Sequence, residues 1–207
     1  SSITTLPEVI DKKEFDKHSV LDRFNHQLQT SGLKTSNTIN PDFSWAGSGI
    51  GEIKNYFKLD KFILLFPFCS PHLDVKKWPY YNDLIKLILN KFGNEYKVVT
   101  APGPTEINDA KEINAKVLLD NGKALNISQL TSLIKESSFV IANDTGPAHM
   151  AAHLQVKGLA LYGSHKLASL QSIERENFKA IQVTDLNKLS VDKVFEKISN
   201  SLSLSDV

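Results

Sequence analysis

The chain has 207 residues, with 24 basic against 23 acidic side chains, a formal net charge of +1, 41% apolar residues and 23% charged residues. This length allows one good-sized domain or one and a half, and the composition is that of an ordinary globular protein. The charge balance excludes the basic excess of a protein that reads nucleic acid through its phosphates. No apolar run approaches the roughly 18–20 residues of a membrane span, and no charged-then-apolar leader opens the chain. The single cysteine, Cys69, excludes an internal disulfide and fits a reducing, cytoplasmic setting. The chain opens on Ser1-Ser2 without methionine, which reads as a piece of something longer.

Residues 1–59 read as a connecting region. Over 14–30, Phe15, Val20, Leu21, Phe24 and Leu28 lie on one stripe and predict a single amphipathic helix, which Gly32 ends. Residues 31–52 are rich in Ser, Thr, Asn, Pro and Gly and read as a long loop. Gly47, Gly49 and Gly51 follow no strand and lack the spacing of a dinucleotide fingerprint.

From residue 60 the pattern becomes rhythmic. FILLF at 62–66 predicts a strand, followed by a helix over about 79–92. A strand at 96–101 precedes a helix over about 106–119, and a short strand near 123–127 precedes a helix at 128–137 capped by Ser128. A strand at 139–144 runs straight into a helix at 146–154; strands at 157–163 and 180–183 and a closing helix at 190–203 complete the chain. This alternation predicts an α/β fold over 60–207, a Rossmann-like parallel sheet of about six strands with helices on both faces. In such sheets ligands bind beyond the carboxyl ends of the strands, so the strand-to-helix turns are where function is to be sought.

Three turns carry chemistry. At 143–149, Asn-Asp-Thr-Gly-Pro-Ala-His opens a helix with Pro147 preset for its first turn. Gly146 leaves the backbone open to close approach, and the helix N-terminus there suits an anion such as a diphosphate. Thr145 adds a hydroxyl, and His149 leans back towards the same end. The alternative is that Asp144 or Thr145 merely caps the helix; the convergence of four such residues favours a site. At 66–79, a long loop places Ser70 and the pair Lys76-Lys77 ahead of the helix, and one of the lysines can reach phosphate oxygens. Trp78 reads as a core anchor. At 101–106, Glu106 can accept from ribose hydroxyls, or serve as a carboxylate favoured by the helix dipole. His18, His26 and His153 read as packed or surface histidines. No metal-ligand spacing is present, and Cys69 has no base nearby in sequence to make it a nucleophile.

NDTGPAHMAAHL at 143–154 with LALYGS at 159–164, PFCSPHLDVKKWP at 67–79 and the Gly-Pro-Thr-Glu turn at 103–106 together resemble the ADP-heptose:lipopolysaccharide heptosyltransferases, glycosyltransferase family 9. The resemblance covers about residues 14–200 and is to the C-terminal, donor-binding half of a two-domain GT-B enzyme. It implies inverting, metal-independent transfer of a heptose or similar sugar from a nucleoside diphosphate, with no cofactor. By motif position it implies a donor site of Ser70, His72, Lys76, Glu106, Asp144, Thr145, Gly146 and His149. Within it Lys76 meets the phosphates, Glu106 the nucleoside, and Asp144 the transferred sugar. The glycan or lipid-linked acceptor and the general base are expected in an N-terminal domain that this chain lacks; Asp11, Asp16 and Asp22 do not take that role. Peripheral contact with the inner face of the inner membrane would come through that domain. Two departures stand out: Phe68 where relatives carry glycine, and His165-Lys166-Leu167 where a proline-rich segment is common. A non-catalytic nucleotide-sugar binding module is the competing reading; an epimerase on the same fold lacks its carboxylate and arginine signatures.

Overall fold

The computed structural model describes residues 11–70 and 72–203. The first helical stretch is two elements rather than the single helix expected over 14–30: a short α1 (Lys12–Phe15) and α2 (Val20–Thr30). Ser19 breaks them apart. Its backbone is extended and its hydroxyl accepts the Asp22 N–H, so the residue expected inside a helix caps the start of the second one. Gly32, at φ 76°, closes α2 as expected. The expected loop at 31–52 contains a 3₁₀ turn at Ser44–Ala46 and the first residues of α3 (Gly51–Phe57). Ile50 and Ile53 are buried there, which turns this stretch into part of the core.

The sheet itself follows the expected rhythm. Its strands are β1 (Phe62–Phe66), β2 (Lys97–Thr100), β3 (Lys116–Val117), β4 (Phe139–Asn143), β5 (Gly158–Tyr162) and β6 (Phe178–Gln182), all parallel and ordered β3-β2-β1-β4-β5-β6. Alternate side chains enter opposite layers. Leu64, Phe66, Val140, Ala142 and Ala160 face α3, α5 (Ile127–Glu136) and α6 (Gly146–His153). Ile63, Leu65, Ile141, Leu159 and Leu161 face α4 (Tyr81–Phe92) and α7 (Val191–Ser203). Burial on both faces explains why β1, β4 and β5 read as unbroken apolar runs.

The region between β2 and α5 departs from expectation. No helix forms over 106–119; a 3₁₀ turn at Asp109–Glu112 leads into β3 instead. Asn82 of α4 donates to Glu112 O at 2.9 Å and accepts from Asn114 N at 2.8 Å. Those main-chain groups, which a helix would pair internally, are thereby committed to a tertiary contact. The strand expected near 123–127 does not form: a tight turn closed by reciprocal Asp120–Lys123 bonds, with Asn121 and Gly122 at φ 49° and 78°, precedes it, and residues 124–126 run irregularly into α5. The cap of α5 is Asn126, in a reciprocal box with Gln129, rather than Ser128. Among the described residues no helix is long and apolar enough to cross a membrane.

Chain order reverses between β1 and β4, which are adjacent in the sheet. Their loops therefore leave in opposite directions and open a crevice beyond their carboxyl ends.

Candidate functional site in the crevice between β1 and β4

The two loops that flank the crevice are held by one buried side chain. Asn143, the last residue of β4, is fully buried. Its Nδ2 donates to Pro67 O at 2.7 Å, and its Oδ1 accepts from Tyr81 OH at 3.2 Å and Trp78 N at 3.4 Å. The loop after β1 is thus pinned near both ends, and Trp78 is fixed further by its indole N–H on Leu189 O at 2.9 Å. Between the pins a 3₁₀ turn at Asp74–Lys76 directs the two lysines apart. Lys77 pairs with exposed Asp74 at 3.1 Å, whereas Lys76 turns into the crevice.

Lys76 Nζ meets Asp144 Oδ2 at 2.7 Å and Asp144 O at 3.3 Å. The same carboxylate receives His165 Nε2 on Oδ2 at 3.0 Å and has His149 Nε2 3.6 Å from Oδ1. The Asp144 side chain is only 4% exposed. Burial alone pushes its pKa up, but the contacts from His149, Lys76 and His165 together hold it well below the usual carboxylate range. Asp144 is a permanent anion here and a poor proton acceptor. His165 lies parallel to the Tyr162 ring, with centroids 5.9 Å apart and 11° between the planes. Burial, with Asp144 nearby, pushes the Tyr162 phenol far up, so it stays protonated.

Thr145 adopts the extended conformation of an N-cap, yet its hydroxyl donates to Asn143 O at 3.3 Å and makes no capping bond. The simple capping role weighed for Asp144 and Thr145 is therefore not taken. A Cβ built on Gly146 meets no protein atom within 4 Å, so packing does not demand glycine there; the crevice above it is open space.

Ser70, Lys76, Glu106, Asp144, Thr145, Gly146 and His149 line one cleft of about 370 Å³, together with Cys69, Pro147 and Lys166. His72 is exposed and is not among the residues lining it. Cys69 is buried, its thiol donates to Leu73 O at 3.2 Å, and burial pushes its pKa up, away from nucleophilic character. Glu106 accepts Gly103 N–H on one carboxylate oxygen at 2.8 Å. It stands with Thr145 and Pro147 on the border of a second, apolar cavity of about 240 Å³ walled by Phe68, Pro102, Leu125 and Leu130. A larger cavity of about 720 Å³ lies at the sheet edge between α3 and β3 and contains none of these groups. Among the described residues no group of His, Cys, Asp and Glu is arranged to hold a metal ion; the Asp144 cluster already contains an ammonium. His165 and Lys166 escape sequence reasoning: the signal was their position just past a strand at the carboxyl edge, where they read only as a departure from the family pattern.

The class is that of a Rossmann-like α/β domain with its polar cleft at the switch point of the sheet. Residues 5–197 match the profile of glycosyltransferase family 9 (heptosyltransferase), and the chain belongs to that family. Among solved structures it is similar to Escherichia coli ADP-heptose lps heptosyltransferase II, with a TM-score of 0.71, 20% identity, and 96% of this chain and 66% of that chain covered. The glycosyl transferase family 9 from Veillonella parvula DSM 2008 gives 0.68, 17%, 94% and 62%. E. coli heptosyltransferase WaaC with ADP gives 0.63, 17%, 87% and 56%. At these identities the likeness carries the fold, which is the GT-B-like heptosyltransferase fold expected from the sequence. The chain spans less than two thirds of the length of each of these proteins. A comparison with curated proteins gave no match.

Proposed function

We propose that this chain is the donor-binding half of a sugar transferase that uses a nucleoside-diphosphate sugar, of the ADP-heptose type, for inverting transfer to a glycan or lipid-linked acceptor. The observation that carries the proposal is the pairing of two cavities along one border. A polar cleft with a lysine, an uncapped helix N-terminus and open backbone at Gly146 suits a diphosphate. The apolar cavity beside it suits a nucleobase. Glu106 stands between them, one oxygen engaged by Gly103 and the other free to accept from a ribose hydroxyl.

In this reading Ser70, Lys76 and the first turn of α6 stabilise the charge that develops on the departing diphosphate. Asp144, anionic, held by Lys76 and His165 and with His149 close by, orients the sugar; its depressed pKa argues against a role as general base. The base, the acceptor site and any peripheral contact with a membrane are assigned to a part of the enzyme outside this chain; the transfer is proposed to need no metal or cofactor and to take place in the cytoplasm. Phe68 does not seal the crevice; it forms a wall of the cavity proposed for the base. WaaC was solved with ADP, which makes ADP the first nucleotide to try.

Calorimetric titration with ADP, UDP and GDP tests the proposal. ADP is expected to bind in preference to the other two. Lys76→Ala should weaken binding by roughly tenfold or more, the loss of one charge-assisted contact. Gly146→Ala should fold normally, because its Cβ meets only open space, yet bind less tightly. Preference for UDP or GDP would overturn the donor assignment, and no binding of any of the three would overturn the site.

A further inference from the structure

Asp144 gathers more partners than a sugar-orienting carboxylate needs. Lys76 arrives from the loop after β1, His149 from α6, and His165 from the loop after β5. Of these His165 alone does not line the cleft. Its side chain is 9% exposed, stacked on Tyr162, and its Nδ1 is buried with no hydrogen-bond partner among the described residues. Asp144 Oδ2 is an acceptor, so Nε2 carries the proton, and among the described residues the one hydrogen bond this ring makes is the one to Asp144. Packing alone would be served as well by an apolar ring. The charged and titratable groups around it are Asp144, Lys76 and Tyr162, with His149 across the same carboxylate and exposed Lys166 next in the chain.

Lys76 meanwhile is committed. Its ammonium is shared between the carboxylate and the main-chain oxygen of Asp144. To reach a diphosphate in the cleft it must loosen that pairing, and a buried carboxylate left without a partner is heavily penalised. We infer that His165 is a positioning residue that keeps Asp144 paired and in place while Lys76 transfers from the carboxylate to the phosphates of the ligand. The inference rests on the donor-site reading above. His165 touches neither the phosphates nor the sugar; it acts through Asp144, and it sets how readily the lysine is released.

The test is a double-mutant cycle read by titration with ADP and with inorganic pyrophosphate. His165→Phe keeps the ring on Tyr162 and removes the donor; His165→Gln gives up the ring and keeps an N–H of similar reach. A positioning role predicts that His165→Phe weakens binding of both probes about tenfold, the size of a lost charge-assisted hydrogen bond, while His165→Gln stays within about threefold of wild type. In the Lys76→Ala background His165→Phe should cost little more, because the lysine it would release is gone. A purely structural role predicts the reverse order, with Phe tolerated and Gln damaging. That order, or additive losses in the cycle, overturns the inference and leaves the donor site standing. Failure of the unmodified chain to bind either probe overturns the donor-site reading and the inference with it.

Discussion

His153, at the end of α6, is separated from the cleft by one helical turn and does different work. Its Nδ1 lies 3.3 Å from Arg175 Nη2, and its ring meets Phe43 edge-on. Burial first, then the Arg175 guanidinium and His149, lower its pKa to about 4 from an ordinary 6.5. The folded chain refuses a proton that the unfolded chain accepts, so its stabilising effect is complete above pH 6.5 and fades as the pH falls towards 4. Allowing for partial exposure, about 1–2 kcal/mol should be lost between pH 7 and pH 4.5 by this group. Urea unfolding of wild type and His153→Gln across that range checks it: the variant should show a shallower fall, and parallel curves would assign the loss elsewhere. The same scale shows what a sequence can disclose. Lys76, Asp144, Thr145, Gly146 and His149 were legible because each sits at a strand-to-helix turn whose chemistry is local. The Asp144–His165 bond spans 21 positions and exists because β4 and β5 are neighbours, a fact of pairing that residue spacing does not express.

At the scale of elements, local pattern served where burial was two-sided and failed where tertiary contacts competed. The apolar runs of β1, β4 and β5 admit one interpretation. The stretch 106–119 carries a tolerable helix pattern, yet Asn82 of α4 captures its main-chain groups and β2 recruits its end as a strand. Ser19 and Asn126 override the helix limits inferred from periodicity because capping is decided by one side chain. A glycine carries the other element-level constraint. Gly158 opens β5 between β4 and β6, and a Cβ there would stand 2.5 Å from the Phe178 ring and 2.8 Å from Val140 O. The ring can turn but the carbonyl belongs to the sheet. Gly158→Ala should therefore destabilise the fold by about 1–3 kcal/mol through overpacking, seen as a lowered Tm. Unchanged melting would mean that the sheet yields more easily than its contacts suggest.

The whole molecule is organised by one topological event, the reversal of chain order between β1 and β4. It brings a loop from residues 67–78 and a helix start at 144–149 to the same edge, and Asn143 locks them together. The placement of the cleft follows from that reversal and not from cavity size, since the larger cavity beside β3 contains none of the Lys76, Asp144 and His149 cluster. The measurement that bears most directly on this account is amide chemical-shift mapping of the chain during titration with ADP. Shifts concentrated at Ser70, Lys76, Glu106 and residues 145–149, with smaller ones at Phe68 and Leu125, are predicted. Shifts centred on Glu52, Tyr56 and Lys116, or none at saturating nucleotide, would contradict it.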